Sequence, residues 1–309
     1  MRRLSQNNLP FLLAALFTLL ILPARGRDNQ DLDAAPPTIE YVTAKGDPVP
    51  AIRGTRAFSV EQGQILFTGA INGRQCRMGI DTGSLTTLID ENFAKVIGIS
   101  FRGHPTKSEF PRSFATELRV GKTVLKRVPI QIVSRLPTDT IFLGMDVLRD
   151  SILAVDFLKQ KLSFGALEDR SASLTELPLD IHGRPYLSAS VGSHPCRFLV
   201  DLGSPANIMS EQKLSELTSS DSTLSSRIHE TRLLPQLESL VREKESARLM
   251  VVPVKLDDIT LEIPMAVFRK ERGEPAILGL NFFRQYQRVT LNFPRSRLSL
   301  GSKMDPNDL

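Results

Sequence analysis

The sequence contains few of the side chains that bind metals, nucleotides or nucleic acids. Its 309 residues include no tryptophan, three tyrosines, two cysteines and four histidines. No glycine-rich loop that could cradle a phosphate is present, and no basic run alternates with aromatic residues. The histidines lack the spacing of metal ligands; they are His104, His182, His194 and His229. We therefore expect no metal, no cofactor and no nucleic-acid partner.

Long hydrophobic runs are also missing. The longest extends only from Phe11 to Leu22, whereas a membrane-spanning helix needs about 20 apolar residues. Arg2 and Arg3 precede this run, and a small–x–small cleavage candidate, residues 24–26, follows it. The pattern predicts a signal peptide over residues 1–26 and an exported protein, periplasmic or secreted. The alternative is an uncleaved signal that anchors the chain, because Arg25 and Gly26 form a poor cleavage site.

A strong charge of one sign is absent once this segment is removed. The formal net charge of the whole chain is +5. Residues 1–26 contain three arginines and no acidic residue, so the remainder carries about +2. This is the charge of an ordinary soluble protein, and the basic isoelectric point therefore says little about partners.

The rest of the chain divides into a tether and two lobes. Residues 27–57 contain Ala-Ala-Pro-Pro and Gly-Asp-Pro-Val-Pro, which predicts a Pro-rich linker. Two lobes of sufficient length to bury a core follow, over residues 58–168 and 179–303. A polar joint over residues 169–178 links them, and residues 304–309 form a tail.

The main feature of the sequence is one pattern that occurs twice, 120 positions apart. Asp81-Thr82-Gly83-Ser84 follows an apolar segment, and Asp201-Leu202-Gly203-Ser204 follows another. Later apolar–apolar–Gly segments also correspond, at residues 142–146 and 277–281. Further matched pairs are Cys76/Cys196, Arg77/Arg197, Ile80/Val200 and Gly63/Gly183. The repeat indicates that two successive segments of the chain adopt the same fold.

Both halves resemble the retropepsin-like aspartic peptidases, whose superfamily also contains the two-lobed pepsins. In these proteins each half supplies one Asp-Thr/Ser-Gly loop and a later apolar–apolar–Gly segment beneath it. The resemblance covers nearly everything after the N-terminal region. It implies an all-β, bilobal acid-protease fold with two homologous six-stranded-type barrel lobes and a central cleft.

The resemblance implies that Asp81 and Asp201 form a catalytic dyad for peptide-bond hydrolysis. One carboxyl must be ionised to deprotonate water, and the other must be protonated to polarise the scissile carbonyl. Two carboxyls about 3 Å apart cannot both ionise, so they share a proton. Aspartic proteases are the general example of this effect. The sequence does not assign the acid and base roles, and each Asp could instead be a turn residue that binds backbone donors.

The neighbouring residues match the family in part. The resemblance implies that the hydroxyls of Ser84 and Ser204 bond the outer carboxylate oxygens, while Gly83 and Gly203 allow the tight turns. It also implies that the Thr hydroxyl reaches the opposite loop, which Thr82 can do. Leu202 cannot. Two alternatives therefore stay open: a peptide-binding protein that no longer cuts, and a peptidase in which only lobe one is active, through dimerisation between chains.

Local patterns predict several further elements. Asn72-Gly73 predicts a hairpin turn, and Asp90 and Ser210 are candidate helix caps, the first for a helix over residues 91–96. Substrate-covering flaps are expected near residues 101–112 and 219–247, the second being an insertion without a counterpart in lobe one. A hairpin over residues 118–124 and strands over residues 128–133, 250–255 and 260–268 complete the expectations.

The two cysteines occupy equivalent positions in an exported chain, which raises the possibility of a disulfide. Cys76 and Cys196 each lie five residues before an Asp on an extended strand, about 16 Å from the axis between the lobes. A disulfide needs Cα atoms within about 7 Å. We therefore expect two buried free thiols. Because one chain already contains both half-sites, we also expect a protein that acts on peptides as a monomer.

Overall fold

A computed structural model of the protein describes residues 40–42, 52–103, 105–106, 110–134, 136–137, 139–165, 175–230, 247–268 and 276–305. The expected signal peptide and most of the expected linker lie outside these ranges. In the described ranges, no helix has the length and apolar character needed to cross a membrane.

The described part of the first lobe contains ten strands and two short helices. The helices are α1 (Glu91–Val96) and α2 (Met145–Leu148). The strands are β1 (Glu40–Val42), β2 (Gly54–Glu61), β3 (Gln64–Ile71), β4 (Arg74–Ile80), β5 (Thr87–Asp90), β6 (Arg112–Val120), β7 (Thr123–Val133), β8 (Thr140–Leu143), β9 (Ile152–Asp156) and β10 (Lys161–Phe164).

Six of these strands close into a barrel. Strand β3 pairs with β4, β4 with β8, β8 with β5, β5 with β7, β7 with β6, and β6 again with β3. The β4–β8 and β5–β7 pairings are parallel and the others antiparallel. The parallel pairing of β4 with β8 places the end of β4, where Asp81 follows, next to the apolar–apolar–Gly segment.

The second lobe repeats this architecture. The helices in its described ranges are α3 (Glu211–Ser219), α4 (Ser222–Arg227) and α5 (Leu280–Phe283). Its strands are β11 (Thr175–His182), β12 (Arg184–Val191), β13 (His194–Val200), β14 (Ile208–Ser210), β15 (His229–Glu230), β16 (Ala247–Leu256), β17 (Ile259–Phe268), β18 (Ala276–Leu278), β19 (Arg288–Asn292) and β20 (Arg297–Leu300). A barrel closes in the order β12, β13, β18, β14, β17, β16 and back to β12.

A third, antiparallel sheet joins the lobes. Its order is β2, β10, β9, β19, β20 and β11, so the first three strands come from lobe one and the last three from lobe two. One hydrophobic core cluster contains buried residues of both lobes, among them Val155 and Leu291. The chain therefore folds as two barrels with a shared base, the bilobal all-β architecture that the sequence predicts.

The local signals at turns and caps are confirmed. Asn72 and Gly73 have φ values of 47° and 77°, the left-handed conformations of a type I′ hairpin turn. The Asp90 carboxylate accepts hydrogen bonds from the first turn of α1. The Ser210 hydroxyl accepts one from the backbone N–H of Lys213 in α3.

Two expectations about strands need correction. Residues 128–133 do not form a strand of their own, because they continue β7, the second strand of the hairpin. The polar Lys126-Arg127 pair interrupts the apolar pattern, but the backbone passes through Arg127 with a φ of 52° and pairing resumes at Val128. In addition, Thr175–Pro178 of the expected joint pair with Arg297–Leu300 as part of β11. Residues 166–174 lie outside the described ranges.

Candidate active site

Asp81 and Asp201 occupy equivalent places at the ends of buried strands. Each follows the last residue of its strand, β4 or β13. The Asp81 N–H donates to the Leu143 carbonyl at 3.0 Å, and the Asp201 N–H donates to the Leu278 carbonyl at 2.9 Å. The apolar–apolar–Gly segments therefore hold both Asp backbones by the same contact in each lobe.

The two loops meet across the boundary between the lobes. The Gly83 N–H donates to Asp201 Oδ1 at 3.2 Å. A Cβ atom added to Gly83 would collide with the Asp201 carboxylate, and one added to Gly203 would lie 2.8 Å from Asp81 Cγ. Each carboxylate thus packs against the glycine of the opposite loop, which is why both positions require glycine.

The carboxylates are enclosed and bound by backbone donors. Asp81 is 3% exposed and Asp201 is fully buried. Asp201 Oδ1 accepts hydrogen bonds from the N–H groups of Gly203 at 2.8 Å and Ser204 at 3.2 Å, in addition to the one from Gly83. Asp81 Oδ1 accepts one from the Ser84 N–H at 3.0 Å. Asp201 Oδ2 has no hydrogen-bond partner among the described residues.

Burial raises the pKa of Asp201 to about 6, because the charged form loses its hydration. The backbone donors and the positive charge of Arg184 act in the opposite direction. A carboxyl that keeps its proton in weakly acidic solution can donate a hydrogen bond as well as accept one. This is the property that acid–base chemistry between two carboxyls requires.

Thr82 connects the two loops. Its hydroxyl donates to the Val200 carbonyl at 2.7 Å and accepts from the Leu202 N–H at 3.0 Å. The Leu202 side chain is fully buried in the main core cluster. Lobe two therefore contributes an apolar side chain at the position where lobe one contributes a cross-lobe hydroxyl, as the sequence indicates.

The expectation for the two serine hydroxyls is wrong. Ser84 Oγ donates to the Thr86 carbonyl at 2.7 Å, and Ser204 Oγ donates to the Ala206 carbonyl at 2.8 Å. Each hydroxyl closes a local turn with the carbonyl two residues later. The backbone N–H of each serine, rather than its hydroxyl, binds the carboxylate.

A second layer of polar residues supports the loops, and sequence reasoning missed it. In lobe one, Thr87 donates to the Asp146 carboxylate through its N–H at 3.0 Å and its hydroxyl at 2.9 Å. The same hydroxyl accepts from the Gly144 N–H at 3.2 Å. In lobe two, Asn207 Oδ1 accepts from the Gly279 N–H at 2.9 Å. Thr87 and Asn207 lie 120 positions apart, so the repeat itself could have located them.

The hairpin turns that precede β3 and β12 cross to the opposite lobe, which the sequence also did not indicate. A Cβ atom on Gly63 would collide with Pro205, and one on Gly183 would lie 2.8 Å from Leu85 Cδ2. Gln64 Nε2 lies 3.5 Å from the Gly203 carbonyl. Each turn therefore packs against the Asp-containing loop of the other lobe.

The cysteines are free and buried, as expected. Burial raises the pKa of Cys76 to about 12, with the charge of Asp139 adding to the effect, and raises that of Cys196 to about 11. Both thiols therefore lack reactive thiolate at neutral pH. Within the described ranges, no group of three or more His, Cys, Asp or Glu side chains could hold a metal ion.

The expected flap segments are only partly described. In the first, residues 104 and 107–109 lie outside the described ranges, and so do residues 231–246 of the second. The described part of the second contains α4 and β15, and β15 pairs with β16. The flap assignment stays a prediction.

Comparisons with known proteins agree with this geometry. Residues 67–150 match a protein-family model described as a gag-polyprotein putative aspartyl protease. No match was found among curated proteins. Among solved structures, an aspartic proteinase from Irpex lacteus superposes with a TM-score of 0.51 at 14% identity, covering 82% of this chain and 98% of that one. At that identity the likeness concerns the fold, and the family model supplies the sequence relationship. Residues 67–150 are therefore related in sequence to aspartyl proteases, and the chain has the fold of an aspartic proteinase.

Proposed function

We propose that the protein is an aspartic endopeptidase that hydrolyses peptide bonds with a water molecule activated by Asp81 and Asp201. The observation that carries the proposal is the position of the two carboxylates, each packed against the glycine of the opposite loop. This arrangement brings two buried carboxyls from different lobes to one place, which is the requirement for sharing a proton.

In the proposed reaction, the ionised carboxyl accepts a proton from the water as it attacks the scissile carbonyl carbon. The protonated carboxyl donates a hydrogen bond to the carbonyl oxygen as negative charge develops there. The C–N bond of the tetrahedral intermediate then breaks as the leaving amine takes the proton that the first carboxyl accepted from the water. The raised pKa of Asp201 supports its holding a proton in weakly acidic solution. The two carboxyls titrate as a pair, so neither is assigned the role of acid or base.

The cross-loop contacts would keep the carboxyls at a fixed separation during this reaction. Thr82 ties its own loop to Val200 and Leu202, and the hairpin turns brace both loops. Preorganisation of this kind reduces the rearrangement needed to reach the transition state. Thr82, Gly83, Ser84, Gly203 and Ser204 are accordingly proposed as supporting residues.

The test is cleavage of a mixed peptide library by the purified protein between about pH 3 and pH 7. Asp81→Asn and Asp201→Asn should each abolish cleavage while the fold is retained. Asn keeps the shape of Asp but cannot carry the shared proton. The two losses should be strongly non-additive, because both groups act in the same step. Cleavage by the wild-type protein no faster than by the Asn variants would refute the proposal.

A second candidate function is a peptide-binding protein that no longer cuts, and Leu202 is the observation that favours it. The variant Leu202→Thr separates the two functions. A wild-type protein that binds library peptides without cutting them, and gains cleavage on Leu202→Thr, is a binding protein whose missing hydroxyl accounts for the loss. Wild-type cleavage excludes this candidate.

We also propose that the exported body acts as a monomer. Both Asp-containing loops and the shared sheet come from one chain. A single chain therefore supplies both loops, whereas lobe one alone would obtain the second loop only by dimerising with another chain. Light scattering alongside the activity assay tests this. An obligate dimer whose activity falls on dilution would favour the alternative in which only lobe one is active, through dimerisation between chains.

A further inference from the structure

The positive charge of one residue of lobe two, Arg184, acts on the carboxylate of Asp201. Arg184 begins β12, immediately after the turn that contacts Leu85 of lobe one. The equivalent residue of lobe one, 120 positions earlier, is Gln64 at the start of β3. The two lobes thus differ in charge at matched positions around the site.

Gln64 shows where a side chain at this position lies. It is 2% exposed and its Nε2 atom lies 3.5 Å from the Gly203 carbonyl. The position therefore faces the loop of the opposite lobe, next to the carboxylates. Strands β3 and β12 hold equivalent places in their barrels, and Gly183, the residue before Arg184, lies against Leu85 at the end of the Asp81 loop.

Among the residues that the structure describes, none forms a direct ion pair with Arg184. Among the described residues, no carboxylate lies within 4 Å of its guanidinium, which is 5.8 Å from the Tyr186 ring centroid. Arg197 contacts the same ring at 3.8 Å but is also paired with Asp180 at 2.6 Å. Within the described ranges, Arg197 thus has a carboxylate partner, whereas the partly buried Arg184 has none.

Asp201 is not an ion-pair partner of Arg184 either. It is fully buried, and three backbone N–H groups donate to its Oδ1 atom. Arg184 influences it through the field of its charge and makes no hydrogen bond to it. A guanidinium has five N–H donors in a planar fork that matches a carboxylate. Those donors remain for a group that enters the site from outside.

We infer that Arg184 is a specificity-determining residue, which binds an acidic side chain of the peptide substrate on one side of the scissile bond. The inference rests on the proposed function and adds the substrate class to it. Gln64 is neutral, so the corresponding subsite on the other side has no preference for an acid. A glutamate or aspartate within a few residues of the cleaved bond fits the lobe-two side.

The experiment compares peptides that differ only by Glu or Gln at each position near the cleaved bond. The wild-type protein should cleave the Glu peptide roughly tenfold faster in kcat/KM at one position, because hydrogen bonds to a charged partner outweigh neutral ones. The preference should disappear below about pH 4, where the substrate carboxyl is protonated. Arg184→Gln places in lobe two the residue type that lobe one has at Gln64. This variant should lose the preference for the Glu peptide at pH 5–6.

Two further variants keep the result interpretable. Arg297→Gln makes the same change at the exposed first residue of strand β20 and should leave the Glu preference intact. Arg184→Lys keeps the charge without the planar fork and should retain a reduced preference. It also serves if Arg184→Gln fails to fold.

The outcomes distinguish this inference from the proposed function. Cleavage by the wild type with equal rates for Glu and Gln peptides, or a preference that survives Arg184→Gln, overturns the inference and leaves the peptidase standing. If the wild type does not cut, the peptidase fails. The inference is then decided by fluorescence anisotropy of the same labelled peptides, which must bind more tightly with Glu than with Gln. A shift in the pH profile on Arg184→Gln without any change in preference would assign Arg184 to the carboxylates alone and also overturn it.

Discussion

The Thr82 hydroxyl accepts a hydrogen bond from the backbone N–H of Leu202, 3.0 Å away in the other lobe. The same hydroxyl donates to the Val200 carbonyl at 2.7 Å. One side chain of lobe one thus satisfies a buried donor and a buried acceptor of lobe two. Leu202 makes no equivalent contact, since its side chain lies in the apolar core. The connection between the loops is therefore one-sided and depends on Thr82.

Thr82→Val should destabilise the protein markedly. Valine has nearly the same shape, but it leaves the Leu202 N–H and the Val200 carbonyl buried without their partner. Each unsatisfied group costs about 1–3 kcal/mol, so we expect the free energy of unfolding to fall by about 2–4 kcal/mol. Urea denaturation measures this. The control is Thr86→Val in the same loop, which should change the stability by less than about 1 kcal/mol. Equal effects of the two variants would contradict the assigned role of Thr82.

Gly83→Ala should remove activity without unfolding the chain. The added methyl group collides with the Asp201 carboxylate, so either that carboxylate moves or the loops separate. Overpacking of this kind costs about 1–3 kcal/mol, and we expect peptide cleavage to fall to the level of the Asp81→Asn variant.

The control for that variant is Gly73→Ala in the hairpin turn, where the new atom would meet nothing within 4 Å. Gly73 has a φ of 77°, so alanine there introduces backbone strain of about 1 kcal/mol. It should nevertheless leave cleavage intact. Cleavage by Gly83→Ala at the wild-type rate would mean that the carboxylates do not lie against the opposite glycines.

The two thiols should resist alkylation in the native protein. Burial raises the pKa values of Cys76 and Cys196 to about 12 and about 11, so almost no thiolate is present at pH 8. Iodoacetamide should therefore label neither residue under native conditions and both in denaturant, as measured by mass spectrometry without reduction. Recovery of a peptide that links Cys76 to Cys196 would overturn the strand positions.

The fold could be predicted from the sequence because several segments of the repeat independently indicate the same architecture. Asp81 and Asp201, the segments 142–146 and 277–281 and the Asn72-Gly73 turn all occupy their expected places. These signals are local in sequence or are repeated at a constant offset, so one chain is enough to find them.

The sequence did not predict the contacts that depend on the meeting of the lobes. The bracing of Pro205 by Gly63 and the position of Gln64 against Gly203 arise only from the packing of one barrel against the other. The serine hydroxyls were predicted wrongly because a nearby carbonyl competes with the carboxylate for the same donor. That competition depends on turn geometry, which residue identity alone does not specify.

Asp146 offers a test of the second layer of polar residues. Its carboxylate accepts two hydrogen bonds from Thr87, and Asn281 holds the equivalent position in lobe two. Burial raises the pKa of Asp146 to about 7, against the opposing effect of the hydrogen bonds and of Arg149. An unfolded Asp has a pKa of about 3.9. The folded state therefore binds more protons than the unfolded state between about pH 4 and pH 7.

The sign of the pH effect follows from this difference. The contribution of protonated Asp146 to stability is fully present below about pH 4 and is lost as the pH rises through about 7. Asp146→Asn cannot ionise, so it should be as stable as the wild type or less stable at pH 4, but more stable at pH 8. Since the residue is not fully enclosed, we expect a relative gain of about 1–2 kcal/mol between these pH values. Urea denaturation at both values measures it, with Asp258→Asn, in the exposed turn between β16 and β17, as the control that shows no such gain. A wild-type stability that rises with pH over this range, together with no relative gain for Asp146→Asn, would show that Asp146 is ionised in the folded protein throughout.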